Sequence, residues 1–295
     1  MKLDTFIIGH LCIDEIVSLE GDTSLSVGGA VVYSLFSAAA GGNNIGILIK
    51  SGKKEQMIVN VLPVHSDNIN WVESKAGTTS IRNEFLDDKC ERRITKALCQ
   101  GDMIMMDDIP KDVSSRVFQM AGLMYGDYED EMIPMLSERG KVALDMQCYL
   151  RRPDKDTKEM VYGDWDRKKE FFPYITYLKT DAAEAEILTG ETDRRRAAKM
   201  MVDWGVKEAL ITHNTEVLVY DGDRYYTCPL KPRSLAGRTG RGDTTFSAYI
   251  TERERCGIQE ALNYASALVS LKIETPGPFK GSRADVERFM KENFK

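Results

Sequence analysis

A chain of 295 residues with 42% hydrophobic and 29% charged residues has an ordinary globular composition, which excludes disordered, collagen-like and coiled-coil architectures. Forty Lys and Arg against 46 Asp and Glu leave a net charge of −6, so no broad nucleic-acid-binding surface is expected. No apolar run approaches the ~18 residues that span a bilayer, and the N-terminal stretch MKLDTFIIGHLCIDEIV lacks the regions of a secretory signal. Cys12, Cys90, Cys99, Cys148, Cys228 and Cys256 are scattered without a CxxC, and the three histidines are equally dispersed. They read as reduced core thiols rather than a disulfide framework or a zinc site, and a cytoplasmic location is expected.

In chain order, apolar runs of strand length occur at 6–9, 44–50, 57–62, 103–106, 142–146, 174–179 and 209–212. Helical patterns at 30–40, 113–121, 193–205, 244–256 and 258–274 lie between them. In the third of these, Ala197, Met200, Met201 and Trp204 recur at i, i+3, i+4, i+7, opposite Arg194, Arg195 and Arg196. Nearly continuous apolar strands alternating with helices predict one α/β domain over 1–295. It would be a three-layer α/β/α sandwich around a mainly parallel sheet. Two stretches, 12–27 and 77–100, show period-2 patterns, charge and turn signals instead. They predict a small antiparallel β-sheet lid, with a hairpin turning at Asp87-Asp88-Lys89; ragged surface loops are the alternative. The charge runs at 91–96 and 194–196 read as solvated faces, and the 14 methionines as core filler.

The segment 237–246, GRTGRGDTTF, is the most informative. Its glycines lead directly into a helical pattern, and the free N–H groups of a helix start make an anion cradle. It is neither a P-loop nor the dinucleotide fingerprint. Asp243 at that helix start is either a cap or a general base placed beside the cradle.

GRTGRGDTTFSAYI resembles the DTxGAGDxFxxG signature of the ribokinase-like (PfkB) carbohydrate kinases, and four further segments match in order. FIIGHLCIDEI resembles the family's first strand, ending in a substrate-contacting Asp, here Asp14. VGGAVVYSLFSAAAGG resembles the first signature through Gly28 and Gly29. YLKTDAAEAEILTG resembles the NxxE segment that organises magnesium, through Asp181 and Glu184. ALITHNTEVLVYDG resembles the segment bordering the nucleotide, with Thr212 retained. The resemblance covers roughly residues 5 to 275. Six residues depart from it: Gly237 replaces the first Asp, which weakens the case for a monovalent-cation site. Arg241 replaces the Ala between the glycines, to lie over phosphates or point to solvent, and Asp181 replaces the Asn of NxxE. Asn214 and Val217 replace two glycines of the nucleotide loop, and Tyr33 replaces the usual Asn.

The resemblance implies ATP- and Mg²⁺-dependent phosphoryl transfer to a hydroxyl of a sugar or cyclic polyol. Asp243 would be the base; Gly240, Arg241 and Gly242 would supply amides to the phosphate. Thr212 and Asn214 would border the nucleotide, and Asp181 and Glu184 would hold the metal through water. Asp14, Gly28, Gly29, Tyr33 and Asn83 would meet the acceptor. Asp145, Gln147 and Arg151 resemble the DxQGxxR segment of inositol-kinase-like members, which favours an inositol-like acceptor. The alternative for Asp145 is a strand-end residue closing a turn, and for Asn83 plain hairpin polarity. A nucleoside kinase and a catalytically weak nucleotide- or sugar-binding regulator are the alternative functions. The partners expected are a small-molecule acceptor and a second copy docked through the lid.

Overall fold

The computed structural model describes residues 2–86 and 92–294, so the hairpin turn expected at 87–89 lies outside the described residues. The first half contains β1 (Leu3–His10), β2 (Cys12–Val17), β3 (Thr23–Gly28), α1 (Ala30–Ala40), β4 (Ile45–Ser51), β5 (Ile69–Glu73), β6 (Thr79–Phe85), β7 (Arg93–Cys99) and β8 (Ser115–Met120). Then come α2 (Met132–Ser137), β9 (Lys141–Asp145), α3 (Gln147–Leu150), β10 (Arg151–Pro153), β11 (Met160–Tyr162), α4 (Lys168–Phe171), β12 (Tyr177–Asp181) and α5 (Ala182–Thr189). The chain ends with α6 (Arg194–Asp203), β13 (Glu208–Thr212), β14 (Glu216–Tyr220), β15 (Tyr225–Pro229), α7 (Arg241–Arg253), α8 (Ile258–Ile273) and α9 (Arg283–Asn293).

The main sheet runs β15-β14-β13-β12-β9-β8-β1-β4-β5, and only its β13-β14 and β14-β15 pairings are antiparallel. Ile7, Ile8, Ile47, Leu48, Val117, Phe118, Ala143 and Leu144 are all inaccessible, because adjacent residues face opposite sides and helices cover both. That is the expected three-layer arrangement. No described helix is long and apolar enough to cross a membrane.

Three sequence expectations fail. The apolar run 57–62 lies in a 3-10 segment, Lys53–Val61, with Met57 and Val61 exposed rather than in a sheet. In 103–106 only Ile104 is buried, and it makes one bridge to Tyr128. The segment 113–121 is the central strand β8, not a helix, paired with β1 and β9. Its consecutive apolar residues are buried on both faces, and that demand outweighs the helix-like spacing.

The lid forms as a second sheet, β3-β2-β6-β7, from the two expected stretches. It is not purely antiparallel, since β2 and β6 run parallel and join two antiparallel pairs. Alternation along the strands turns Asp14, Ile16, Asn83, Phe85 and Arg93 inward to line the cavity below. Asp14 therefore belongs to the lid strand β2 rather than to the first strand, which ends at His10.

Candidate active site

The helix α7 starts where glycine leaves room. Gly240 caps it with a left-handed backbone (φ 74°), and a Cβ there would lie 2.2 Å from the Tyr33 ring. Gly237 is equally constrained, because a Cβ would lie 1.8 Å from the Thr275 carbonyl. An Asp cannot stand at 237 in this packing, which explains that departure from the signature. Gly240→Ala should lower stability by about 1–2 kcal/mol for the left-handed backbone alone. It should also cost activity by displacing Tyr33 and the helix start. Thermal melts and steady-state turnover check both.

Asp243 lies in the first turn of α7, as expected, on the wall of a polar cleft of about 590 Å³. Its carboxyl is pushed up by burial against the pull of the Lys179 ammonium, rather than being held down by the helix start. The described lining of the cleft includes Arg92, Arg93, Lys179, Arg238 and Arg241, with Thr212, Asn214, Asp181 and Glu184. Arg92 and Arg93, expected to be solvated, stand at this cleft. Arg241 is held at its rim by donating to the Asn214 side-chain oxygen at 2.7 Å, so the residues that replace glycine and alanine in the signature bond each other. The Thr212 hydroxyl donates to the Thr180 carbonyl at 3.4 Å.

Beneath the cleft lies a buried charge cluster that motif spacing does not reveal. Lys179 on β12 is the register partner of Asp145 on β9, and its ammonium lies 3.1 Å from that carboxylate and 3.5 Å from Glu184. Burial tends to lower the Lys179 pKa, but Asp145, Glu184, Asp181 and Asp243 outweigh it and raise it. Asp145 also accepts from the Gln147 amide at 3.1 Å. It is 2% exposed, does not line these cavities, and its carboxylate pairs with Lys179. Sequence inspection could have found Lys179 as a lone cation in the otherwise apolar strand YLKT.

Asp181 and Glu184 form a capping box at the start of α5: each backbone amide donates to the other's carboxylate, at 2.7 and 2.8 Å. Each carboxylate keeps one oxygen outside these bonds, and both residues line the cleft. No described group of three or more His, Cys, Asp or Glu could ligate a metal directly. The donor set suits magnesium held through water.

Asp243 also lines a second cavity. A small cavity of about 80 Å³ is walled by Asp14, Gly29, Tyr33, Asn83, Gln147, Arg151 and Asp243, among others. Asp14 is pushed above the ordinary carboxylate range by burial. The Cys12 thiol donates to it at 3.3 Å, and Gly28 presses against it, since a Cβ there would lie 2.6 Å from the Asp14 oxygen. Gly29 takes the left-handed backbone (φ 95°) that turns the lid into α1. Asn83 accepts from the Thr95 hydroxyl at 2.9 Å. Arg151 is buried and its Nε has no hydrogen-bond partner. This cavity shares Asp14, Tyr33, Asn83, Arg93 and Thr239 with a larger cavity of about 460 Å³ that Ile16, Phe85, Leu235 and Pro276 also line.

No family model matches the chain. A pyrophosphate-dependent kinase in the ribokinase family, solved with a pyrophosphate analog and myo-inositol, is 29% identical with a TM-score of 0.85, covering 96% of this chain and 99% of that one. The cytidine kinase of Thermococcus kodakarensis is 27% identical over 269 residues, 86% of this chain and 89% of that protein. Arabidopsis thaliana ribokinase, solved with ribose and ATP, shares the fold at 17% identity and a TM-score of 0.76, over 99% of each chain. The fold and the site thus define a phosphotransferase whose acceptor is an alcohol group. The chain has the ribokinase-like fold, and its motifs resemble those of the PfkB kinases.

Proposed function

We propose that the chain transfers a phosphoryl group to a hydroxyl of a cyclic polyol, with an inositol-like ring as the acceptor. The carrying observation is the position of Asp243, which lines both the cation-rich cleft and the small polar cavity of Asp14, Asn83, Gln147 and Arg151. An acceptor hydroxyl there faces a donor phosphate held by the α7 amides and the cleft's cations. The hydroxyl oxygen bonds to the terminal phosphorus, its proton passes to the Asp243 carboxylate, and the bond from phosphorus to the leaving phosphate oxygen breaks. Magnesium, held through water by Asp181 and Glu184, would neutralise donor charge.

The donor has two readings. The cleft's described lining is polar throughout, with no aromatic or aliphatic side chain to receive a base, which favours inorganic pyrophosphate. ATP is the donor implied by the motifs, and it is bound in the plant ribokinase. The acceptor likewise has a second reading, a nucleoside, favoured by the apolar wall of Ile16, Phe85 and Leu235. A matrix of pyrophosphate and ATP against polyols, sugars and nucleosides, read by phosphorylated product, separates them. Faster turnover of cytidine or adenosine than of every polyol and sugar would overturn the polyol reading.

The lid's outer edge leaves Leu25 72% exposed beside Val27, and edge strand β3 is unpaired on that side within the described chain. Such an edge invites pairing with a second lid. The expected outcome is a homodimer through the lid, with light scattering giving twice the chain mass at micromolar protein. A monomer alone at that concentration counts against it.

A further inference from the structure

Lys272 is a buried cation that the transfer scheme above does not use. It sits near the end of α8 and is 1% exposed. Its ammonium donates to the main-chain carbonyl of Gly237 at 2.6 Å and to that of Thr239, and lies 5.0 Å from the centre of the Tyr33 ring. Among the described residues it forms no ion pair. Burial lowers its pKa to about 8 while Asp243 pulls it back up, so the ammonium is the main form at neutral pH.

An ammonium taken out of water without a counter-ion is costly, and here carbonyl dipoles and a ring face offset that cost. An apolar side chain of similar length would fill the space but leave both carbonyls without this donor. What the charge adds is its grip on two carbonyls, both in the 237–240 segment. That segment ends at Gly240, the cap whose backbone sets the direction of the α7 amides and of Asp243. The carbonyls of Gly237 and Thr239 are two residues apart and converge on one point charge. Tyr33, held above that charge, is also the ring against which Gly240 packs. One cation therefore ties together the loop, the acceptor-side ring and the helix start.

We propose that Lys272 is a positioning residue for phosphoryl transfer, a tethered cation that holds the 237–240 carbonyls and so makes a free monovalent cation unnecessary. The inference rests on the kinase reading given above, and it specifies how the anion cradle is kept in place.

The test compares wild type, Lys272→Ala and Lys272→Met in Na⁺, K⁺, NH₄⁺, methylammonium and tetramethylammonium chloride at constant ionic strength. Wild-type turnover should be the same in all five salts. Lys272→Ala should lose about 10²-fold in kcat, the scale of a small misplacement of reacting groups. NH₄⁺ or methylammonium, small enough to occupy the space the side chain leaves, should restore a large part of it. Lys272→Met fills that space without charge, so its loss should not respond to any salt. Wild-type turnover that requires K⁺, an alanine variant as active as wild type, or a loss equally unresponsive in both variants would overturn the proposal. A wild type that turns over no donor and acceptor pair would sink the kinase reading instead. Thermal melts then still decide on Lys272: NH₄⁺ should raise the melting temperature of Lys272→Ala selectively over tetramethylammonium, and equal melting in both salts rejects the cation site.

Discussion

Asp243→Asn should lower kcat by at least about 10²-fold, the lower end of what general-base loss costs. Donor affinity should change only a few-fold, and the melting temperature hardly at all. Asparagine keeps the shape of the side chain in the first turn of α7 while removing its charge and basicity. Stability should survive because burial already raises the Asp243 pKa, so the ionised form is not what the fold favours. The raised value also makes Asp243 a better base than a surface carboxylate. Lys179 and Arg151 pull in the other direction and limit that rise. The acceptor hydroxyl becomes acidic only as its bond to phosphorus forms, so the base matters in the transition state and little in the ground state. Steady-state kinetics with a product readout, donor binding by calorimetry and a thermal melt check the three parts. A variant that loses stability but keeps its activity would make Asp243 a cap and remove the base from the scheme.

The sequence disclosed the parts of the site that one segment carries. Gly240, Gly242 and Asp243 are neighbours in the chain, so local backbone geometry and chemistry are read together. The lid was legible for a similar reason, since β2, β3, β6 and β7 show period-2 alternation with one face turned to the cavity. The charge cluster was not, because it depends on register. Asp145 and Lys179 lie 34 residues apart and meet only where β9 and β12 run side by side. Asp145 alone looks like a strand-end polar residue and Lys179 like a lone cation within its strand, and only the pairing shows that they neutralise one another. Arg93 and Arg238 reach the cleft from separate elements, as does Lys179, with no spacing between them to signal it. Strand β8 failed as an expectation because 113–121 has one polar–apolar pattern that fits a helix, and only its place between β1 and β9 makes it a strand.

Lys179→Met should be the most destabilising single change in the site, and its cost should grow with pH. The ammonium lies between Asp145 and Glu184, whose side chains are 3% and 2% exposed, and it is the only cation paired with either in the structure described. Removing one partner of a buried ion pair costs about 3–5 kcal/mol, because the charge left behind has no water and no counter-ion. Burial already pushes Asp145 up to about 6 and Glu184 to about 7 with Lys179 present to hold them down. Without it both should rise further. A carboxyl with a raised folded pKa contributes stability that is complete below its unfolded value, about 4, and lost as pH climbs through the folded value. At pH 5 the two groups in the variant are neutral in the folded state and methionine fills the space tolerably. At pH 8 they must either ionise in a dry pocket or hold protons that the unfolded chain releases. The melting-temperature deficit relative to wild type should therefore be small at pH 5. It should reach on the order of 10 °C at pH 8, given roughly 2–4 °C per kcal/mol for a domain approaching this size. Turnover should fall at every pH, since the ammonium also lines the donor cleft and lies close beneath Gly242, where a Cβ would be 3.0 Å from it. A deficit equal at both pH values, or larger at pH 5, would mean that the carboxylates find other partners and that Lys179 does not hold the cluster together.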